Sequence, residues 1–145
     1  MFKWQEKTWT CGPASMRMAL GRMKIKKSER SLAKLLGTTI RHGTRNERFV
    51  RAVKHYNLEY YTKNKSSLKE LDKLIKRGYV IIVCYLALNR FGHFAVVKKI
   101  EKNYIYLLDP LLGPRVKYKK KYFTKVWVSE REKEKRWFIA LRKKN

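Results

Sequence analysis

The apolar run Tyr79–Leu88 constrains the fold of this chain more than any other segment, because none of its residues is charged. A helix that crosses a bilayer needs about 20 consecutive apolar residues, and this run is much shorter. A run of this length fits a strand that is buried in a protein core. We therefore expect a β-sheet in which this segment is an interior strand.

Helices are predicted before this run. Pro13 opens a stretch in which apolar residues recur at helical spacing, and proline suits a first helical turn because its missing N–H has no partner there. A second helix is expected over Ser28–Leu36, which ends at a glycine. Thr44–Glu47 and Ser67–Glu70 both have the spacing of a capping box, so each is expected to start a further helix.

Strands are predicted from the apolar run onwards. They cover Tyr79–Leu86, His93–Ile100, Tyr104–Leu108, Arg115–Tyr118 and Trp137–Leu141, with short turns between the first four. Helices followed by strands indicate an α+β protein in which N-terminal helices pack on a C-terminal antiparallel sheet.

The chain has 145 residues, enough for one self-sufficient hydrophobic core. No repeat, low-complexity stretch or Pro/Gly-rich linker divides it, so we predict a single domain over residues 1–145. The N-terminus lacks the apolar run and cleavage site of a signal peptide. We therefore expect a cytoplasmic protein.

The formal net charge of +26 is the main anomaly of composition. Such a field attracts polyanions, which include nucleic acid, anionic membranes and acidic peptides, although lysines also simply solvate a surface. The tract Lys117–Tyr122 interleaves lysine and tyrosine, a pattern that can contact phosphates and stack bases. We favour the other interpretation of this tract, an exposed strand that its lysines protect from edge pairing.

Cys11 is a candidate nucleophile because it lies just before the helix predicted from Pro13. The partial positive charge of a helix N-terminus favours a thiolate over a thiol. Gly12 carries no side chain next to the sulfur, so we expect a substrate backbone to approach there. Cys84 lies inside the apolar run, where a thiol usually behaves as a small hydrophobe. A Cys11–Cys84 disulfide is the less favoured alternative.

His93 and Asp109 are expected to lie near Cys11. His93 begins one predicted strand, and Asp109 ends the next. If these strands pair antiparallel through the turn at Glu101–Asn103, both side chains reach the same end of the sheet. Asp109 can then accept a hydrogen bond from one ring nitrogen while the other faces Cys11, as in a catalytic triad.

Gln5 lies six residues before Cys11, and its amide could donate to a developing oxyanion together with the Cys11 backbone N–H. One donor of this kind contributes about 2.7–4 kcal/mol in the transition state. A glutamine in a loop is common, so Gln5 is a candidate only because of its position relative to Cys11. The cysteines and histidines show no metal-ligand spacing, and we expect neither a metal nor another cofactor.

Four segments together resemble one family. Gln5-Glu-Lys-Thr-Trp-Thr-Cys11-Gly-Pro is similar to the nucleophile region of the C39 and C39-like peptidases, a papain-like group of cysteine peptidases that includes bacteriocin leader peptidases. Gly92-His93-Phe-Ala-Val-Val resembles their histidine strand, and Leu108-Asp109-Pro110 resembles their Asp-Pro element. Leu35-Leu-Gly37 followed by Gly43-Thr44 matches the usual middle of the domain.

The resemblance implies a papain-like fold and hydrolysis of a peptide or amide bond. Cys11, His93 and Asp109 would form the triad, and Gln5 would donate to the oxyanion. The best-known family members cut leader peptides after a double glycine, as domains fused to peptide-exporting ABC transporters. We expect this chain to differ from them, because its sequence shows no membrane span or ATPase and its charge is strongly positive. The substrate therefore stays open within peptides and proteins, acidic ones included, and so does the oligomeric state.

Two alternatives stand beside this hypothesis. Some domains of the family are catalytically silent peptide-binding modules, typically after loss of the cysteine, whereas this chain keeps all four site residues. The other alternative is a basic nucleic-acid-binding protein, which is compatible with catalysis and predicts binding that weakens steeply with salt.

Overall fold

A computed structural model describes residues 1–88, 90–129 and 133–145, and only the backbone of Arg90 and Phe91. The helices of these ranges are α1 (Cys11–Arg22), α2 (Glu29–Leu35), α3 (Arg48–His55), α4 (Leu68–Lys76) and α5 (Lys120–Val126). The strands are β1 (Glu59–Lys63), β2 (Val80–Ala87), β3 (Arg90–Ile100), β4 (Tyr104–Asp109), β5 (Gly113–Lys119), β6 (Val128–Ser129), β7 (Glu134–Lys135) and β8 (Phe138–Arg142). None of the described helices is both long enough and apolar enough to cross a bilayer.

The main sheet has six strands in the order β1-β8-β2-β3-β4-β5, and every neighbouring pair is antiparallel. β2, which comes from the apolar run, lies inside the sheet, and almost all of its residues are buried. β6 and β7 form a separate two-stranded sheet. The predicted α+β class with a C-terminal antiparallel sheet is confirmed.

Alternate residues of β2 supply two cores, one on each face of the sheet. Ile82 and Cys84 pack with apolar residues of α1, α2 and α3. Ile81 and Val83 pack on the opposite face with apolar residues of α4 and α5. This two-sided burial explains why no charged residue interrupts the run, since nearly every position of the strand meets a hydrophobic layer.

Hydroxyl caps start two of the helices as the sequence predicts. The Ser28 side chain accepts from the Ser31 N–H at 3.1 Å before α2, and Ser67 accepts from the Glu70 N–H at 3.2 Å before α4. The cap predicted at Thr44 is wrong.

α3 begins only at Arg48, and no side-chain cap precedes it. Thr44 is buried instead, and its hydroxyl lies 2.7 Å from that of Thr38. This competing hydrogen bond removes the threonine from the helix start.

The structure adds elements that the sequence pattern missed, namely β1, α5 and the β6–β7 pair. β5 lies at an edge of the main sheet, as the favoured interpretation of the Lys117–Tyr122 tract requires, but only the first half of the tract belongs to it. The tract is not a strand from Lys120 onwards, because α5 begins there.

The sequence predicts a turn at Asn89–Gly92, but Asn89 lies outside the described residues and β3 already begins at Arg90. It also predicts a solvated helix or loop at Glu130–Arg136. The first three residues of that segment are not described, and Glu134–Lys135 form β7.

Candidate active site

Cys11 is the first residue of α1, so the helix starts two residues earlier than the proline predicts. The carbonyl of Thr10 accepts the first helical bond, from the Ala14 N–H at 3.0 Å. The Thr10 hydroxyl turns away from the helix and bonds to the backbone of Lys7. The N–H groups of the first turn therefore have no acceptor within the helix, and they point toward the end at which the Cys11 sulfur lies.

Gly12 serves a different purpose from the one its sequence position suggests. It is buried, and a Cβ built on it would lie 2.3 Å from the Thr44 hydroxyl oxygen. The side chain of Thr44, not an approaching substrate, fills the space beside this glycine. The glycine therefore allows the start of α1 to pack closely against the loop that precedes α3.

His93 lies on β3, paired with Tyr85 of β2, and only 3% of its surface is exposed. Its Nε2 is 2.7 Å from Oδ1 of Asp109. The Cys11 side chain also interacts with the ring. The Cys11 Sγ also lies 3.9 Å from the carbonyl oxygen of Gly92. The structure thus brings Cys11, His93 and Asp109 together, although 81 residues separate Cys11 from Gly92.

Asp109 ends β4 and is completely buried. Its Oδ1 accepts from the backbone N–H groups of Leu111 at 2.9 Å and Leu112 at 3.0 Å, as well as from His93. Its Oδ2 accepts from the hydroxyl of Tyr85. The turn that follows β4 therefore fixes the carboxylate in front of the imidazole.

His93 and Asp109 each stabilise the charged form of the other. Burial lowers the pKa of His93, but the hydrogen bonds and charge interactions with Asp109 and Cys11 outweigh it and raise the pKa to about 9. Burial raises the pKa of Asp109, but the hydrogen bonds from His93 and Tyr85 outweigh it, so that the pKa lies below its usual range. At neutral pH the pair is therefore an imidazolium beside a carboxylate.

Gln5 reaches the same region through its backbone. Its N–H donates to the carbonyl of Pro110 at 2.9 Å, directly after Asp109. Its Nε2 donates to the carbonyl of Lys7 at 2.7 Å, and its Oε1 is buried with no hydrogen-bond partner among the described residues. A side-chain amide has two N–H donors, so one remains for another acceptor.

Sequence reasoning missed two residues that hold this arrangement. Tyr85 looks like one more apolar residue of its strand, yet it contacts Asp109. Glu29, at the start of α2, is buried and accepts from the Glu6 N–H with its two oxygens at 3.2 and 2.9 Å. It ties down the loop that runs from Gln5 to Cys11. A glutamate at a helix start is common, and no neighbouring residue in the sequence indicates that it bonds to Glu6.

Cys11 and Cys84 are both thiols, so the disfavoured disulfide is absent between these two described residues. Within residues 1–88, 90–129 and 133–145 there is no group of three or more His, Cys, Asp or Glu side chains able to hold a metal ion. The chemistry that this site supports is that of a thiol, an imidazole and a carboxylate.

Solved structures of similar fold include the peptidase domain of Streptococcus ComA, a bifunctional ABC transporter involved in quorum sensing. It has a TM-score of 0.81 at 23% identity, over 98% of this chain and 97% of that domain. A double-glycine-motif protease from an AMS/PCAT transporter, solved in complex with the leader peptide, has a TM-score of 0.74 at 23% identity, over 97% of this chain and 88% of that one. The peptidase domain of Streptococcus mutans ComA has a TM-score of 0.70 at 23% identity, over 97% and 98% of the two chains.

These likenesses show the fold, which is that of the papain-like C39 peptidase domains. A search of curated protein sequences found no significant match. The model of the peptidase C39 family, by contrast, matches residues 2–131. Since this match covers most of the sequence, the chain belongs to the peptidase C39 family.

Proposed function

We propose that this chain is a cysteine peptidase in which Cys11 is the nucleophile, His93 the general acid and base, and Asp109 the residue that orients His93. The observation that supports this most strongly is the position of the His93 ring. It lies between a carboxylate 2.7 Å from Nε2 and the thiol at the start of α1. A nucleophile beside a base that a third group orients is the general arrangement for covalent catalysis.

In the first half of the reaction the Cys11 thiolate attacks the carbonyl carbon of the scissile bond. His93 then donates its proton to the leaving nitrogen as the C–N bond breaks, and an acyl-enzyme remains on Cys11. The pKa of about 9 for His93 keeps this proton available at neutral pH. The buried Asp109 holds the ring in the orientation that the transfer requires.

In the second half neutral His93 accepts a proton from a water molecule. The resulting hydroxide attacks the acyl carbon, the C–S bond breaks, and the acid product leaves. In both halves the carbonyl oxygen becomes an oxyanion near the start of α1. We assign the stabilisation of this oxyanion to two donors. One is the backbone N–H of Cys11, and the other is the side-chain N–H of Gln5 that does not bond to the Lys7 carbonyl.

The proposed substrate is a peptide. One protein of similar fold was solved in complex with a leader peptide, and peptidase domains of that kind share this fold. A chain with a net charge of +26 should favour acidic peptide sequences by attraction.

The test is cleavage of a panel of peptides, followed by mass spectrometry. The panel pairs an acidic with a basic version of each sequence and includes peptides with a double glycine. We expect Cys11→Ala to abolish cleavage and Cys84→Ala to retain it, since Cys84 is buried among apolar residues of the core. Cleavage that persists in Cys11→Ala would rule out this nucleophile.

Thiol labelling supplies a readout that needs no substrate. Iodoacetamide should alkylate Cys11 much faster than Cys84, because Cys11 is partly exposed beside an imidazolium whereas Cys84 is 1% exposed. Equal and slow labelling of the two thiols would contradict the proposal.

A second candidate function is binding of single-stranded nucleic acid, and one surface favours it. Lys99, Tyr106 and Lys117 lie side by side across β3, β4 and β5, next to the pair Tyr104 and Lys119. We refer to these five residues as the Lys/Tyr face. Lys99 and Lys117 lie 4.5 and 4.6 Å from the centroids of Tyr106 and Tyr104, respectively. Lysines around half-buried aromatic rings suit phosphates and stacked bases.

Fluorescence anisotropy with a labelled single-stranded oligonucleotide tests this surface. Lys117→Glu/Lys119→Glu should weaken binding and reduce its salt dependence more than Lys26→Glu/Lys143→Glu, a control that removes the same charge from exposed residues elsewhere. Equal losses in the two variants would show that only net charge matters, and this second function would then be abandoned.

A further inference from the structure

Tyr85 is the polar residue of an otherwise apolar strand, and it is completely buried. Its phenol lies in the core on the side of the sheet that α4 and α5 cover. A buried hydroxyl without a partner is costly, so the place at which this group finds its partner is informative. Its hydroxyl donates to Oδ2 of Asp109.

The two oxygens of Asp109 are thus divided between two sets of donors. Oδ1 accepts from His93 and from the backbone after β4, whereas Tyr85 is the side chain that donates to Oδ2. Without the Tyr85 hydroxyl, Oδ2 would be a buried charged oxygen lacking its donor. Rotation of the carboxylate would then be favourable, because its remaining donors could bond to both oxygens. Oδ1 would no longer be aligned with Nε2 of His93.

The Tyr85 ring is itself firmly held. It packs edge-on against the His93 ring, with centroids 5.6 Å apart, and in a tilted arrangement against Phe123, with centroids 5.5 Å apart. Tyr85 and His93 are also paired residues on adjacent strands. One rigid side chain therefore contacts both the base and the carboxylate of the candidate triad.

We propose that Tyr85 is a positioning residue for the triad, which fixes the Asp109 carboxylate against His93 by donating to Oδ2. The effect on catalysis rests on the proposed function, whereas the effect on the geometry and pKa of the His93–Asp109 pair does not. Burial and the negative charge of Asp109 both raise the pKa of Tyr85, so its hydroxyl keeps its proton and donates at neutral pH.

The chain has only three histidines, which allows a direct measurement. His42 and His55 are both exposed, so the background His42→Gln/His55→Gln leaves His93 as the sole imidazole signal. NMR titration of that signal gives the His93 pKa in this background and with Tyr85→Phe added. Tyr118→Phe is the matched control, because its hydroxyl lies 3.4 Å from that of Tyr85 and has no hydrogen bond to Asp109 in the described structure.

In Tyr85→Phe we expect the His93 pKa to fall by about one unit or more from its value near 9, with a smaller change in Tyr118→Phe. On a peptide substrate, kcat should fall by about tenfold while KM is retained, because the phenyl ring keeps the packing and only the orientation of the pair is lost. Circular dichroism verifies that both variants are folded.

A His93 pKa that is unchanged or raised in Tyr85→Phe would overturn the proposal, whatever happens to activity, and so would an equal fall in Tyr118→Phe. The titration also distinguishes failure of this inference from failure of the proposed function. If the unmodified chain cleaves no peptide, the proposed function fails, while the titration still decides whether Tyr85 positions Asp109.

Discussion

Replacing His93 by Gln should change how the free energy of unfolding depends on pH. His93 has a pKa of about 9 in the folded chain, against an ordinary value of 6.5. The folded chain therefore holds this proton more tightly than the unfolded chain does. A pKa raised from 6.5 to about 9 corresponds to roughly 3 kcal/mol of stabilisation, since each tenfold change in proton affinity contributes about 1.4 kcal/mol.

The sign of the effect follows from which state binds the proton. Below pH 6.5 both states are protonated, and the whole contribution is present. Between 6.5 and about 9 only the folded state keeps the proton, so the free energy of unfolding declines as the pH rises. Above that window the contribution is lost.

Urea unfolding measures this directly. Fluorescence of the buried Trp127 and Trp137 follows the transition in a series of buffers from below the window to above it. The difference in unfolding free energy between the native sequence and His93→Gln should shrink by roughly 3 kcal/mol across the window. His55→Gln, which changes an exposed histidine, is the matched control. Parallel curves for the native sequence and His93→Gln would refute the imidazolium–carboxylate pair.

Further predictions concern the start of α1, its supporting loop and the rate profile. Gly12→Ala should reduce the unfolding free energy by about 1–3 kcal/mol, because its Cβ would lie 2.3 Å from the Thr44 hydroxyl. Gly21→Ala in the same helix meets nothing within 4 Å and should raise it by about 0.5–1 kcal/mol, as urea unfolding can verify. Glu29→Ala should reduce it by about 1–3 kcal/mol and also lower kcat, because a backbone N–H of the loop before α1 loses its acceptor; a variant of unchanged stability would contradict this. In a pH–rate profile, kcat/KM should fall above about pH 9, where His93 loses the proton that the leaving group needs, and a constant rate through pH 10 would contradict that role.

The sequence predicts the central part of the sheet because its strands are apolar and end at turn residues. β2, β3 and β4 form close to the predicted positions, and the antiparallel pairing of β3 with β4 brings His93 and Asp109 together. β1 escaped prediction because Glu59–Lys63 has no buried residue and pairs with β8, far away in the sequence. Long-range pairing of this kind, not local pattern, makes that segment a strand.

In the site, too, residues with local sequence signals were predictable and residues with distant partners were not. The proximity of Cys11, His93 and Asp109 could be predicted from strong local signals. Cys11 begins α1 and Asp109 ends β4, whereas His93 lies inside β3, which begins at Arg90 and not at the histidine as predicted. The contacts of Tyr85 and Glu29 could not be predicted, because their partners Asp109 and Glu6 lie 24 and 23 residues away in the chain. A residue that acts through one distant hydrogen bond leaves no periodic signal in the sequence.

The central claim is that Cys11, activated beside His93, attacks carbonyl carbon. Intact-mass analysis under non-denaturing conditions after treatment with peptide aldehydes, which form a hemithioacetal when a thiolate adds to their carbonyl carbon, tests it without a known substrate. We predict one adduct per chain, located on Cys11, which is lost in Cys11→Ala, greatly slowed in His93→Gln and retained in Cys84→Ala. Adducts on Cys84, or on Cys11 at the same rate in His93→Gln as in the native sequence, would contradict it.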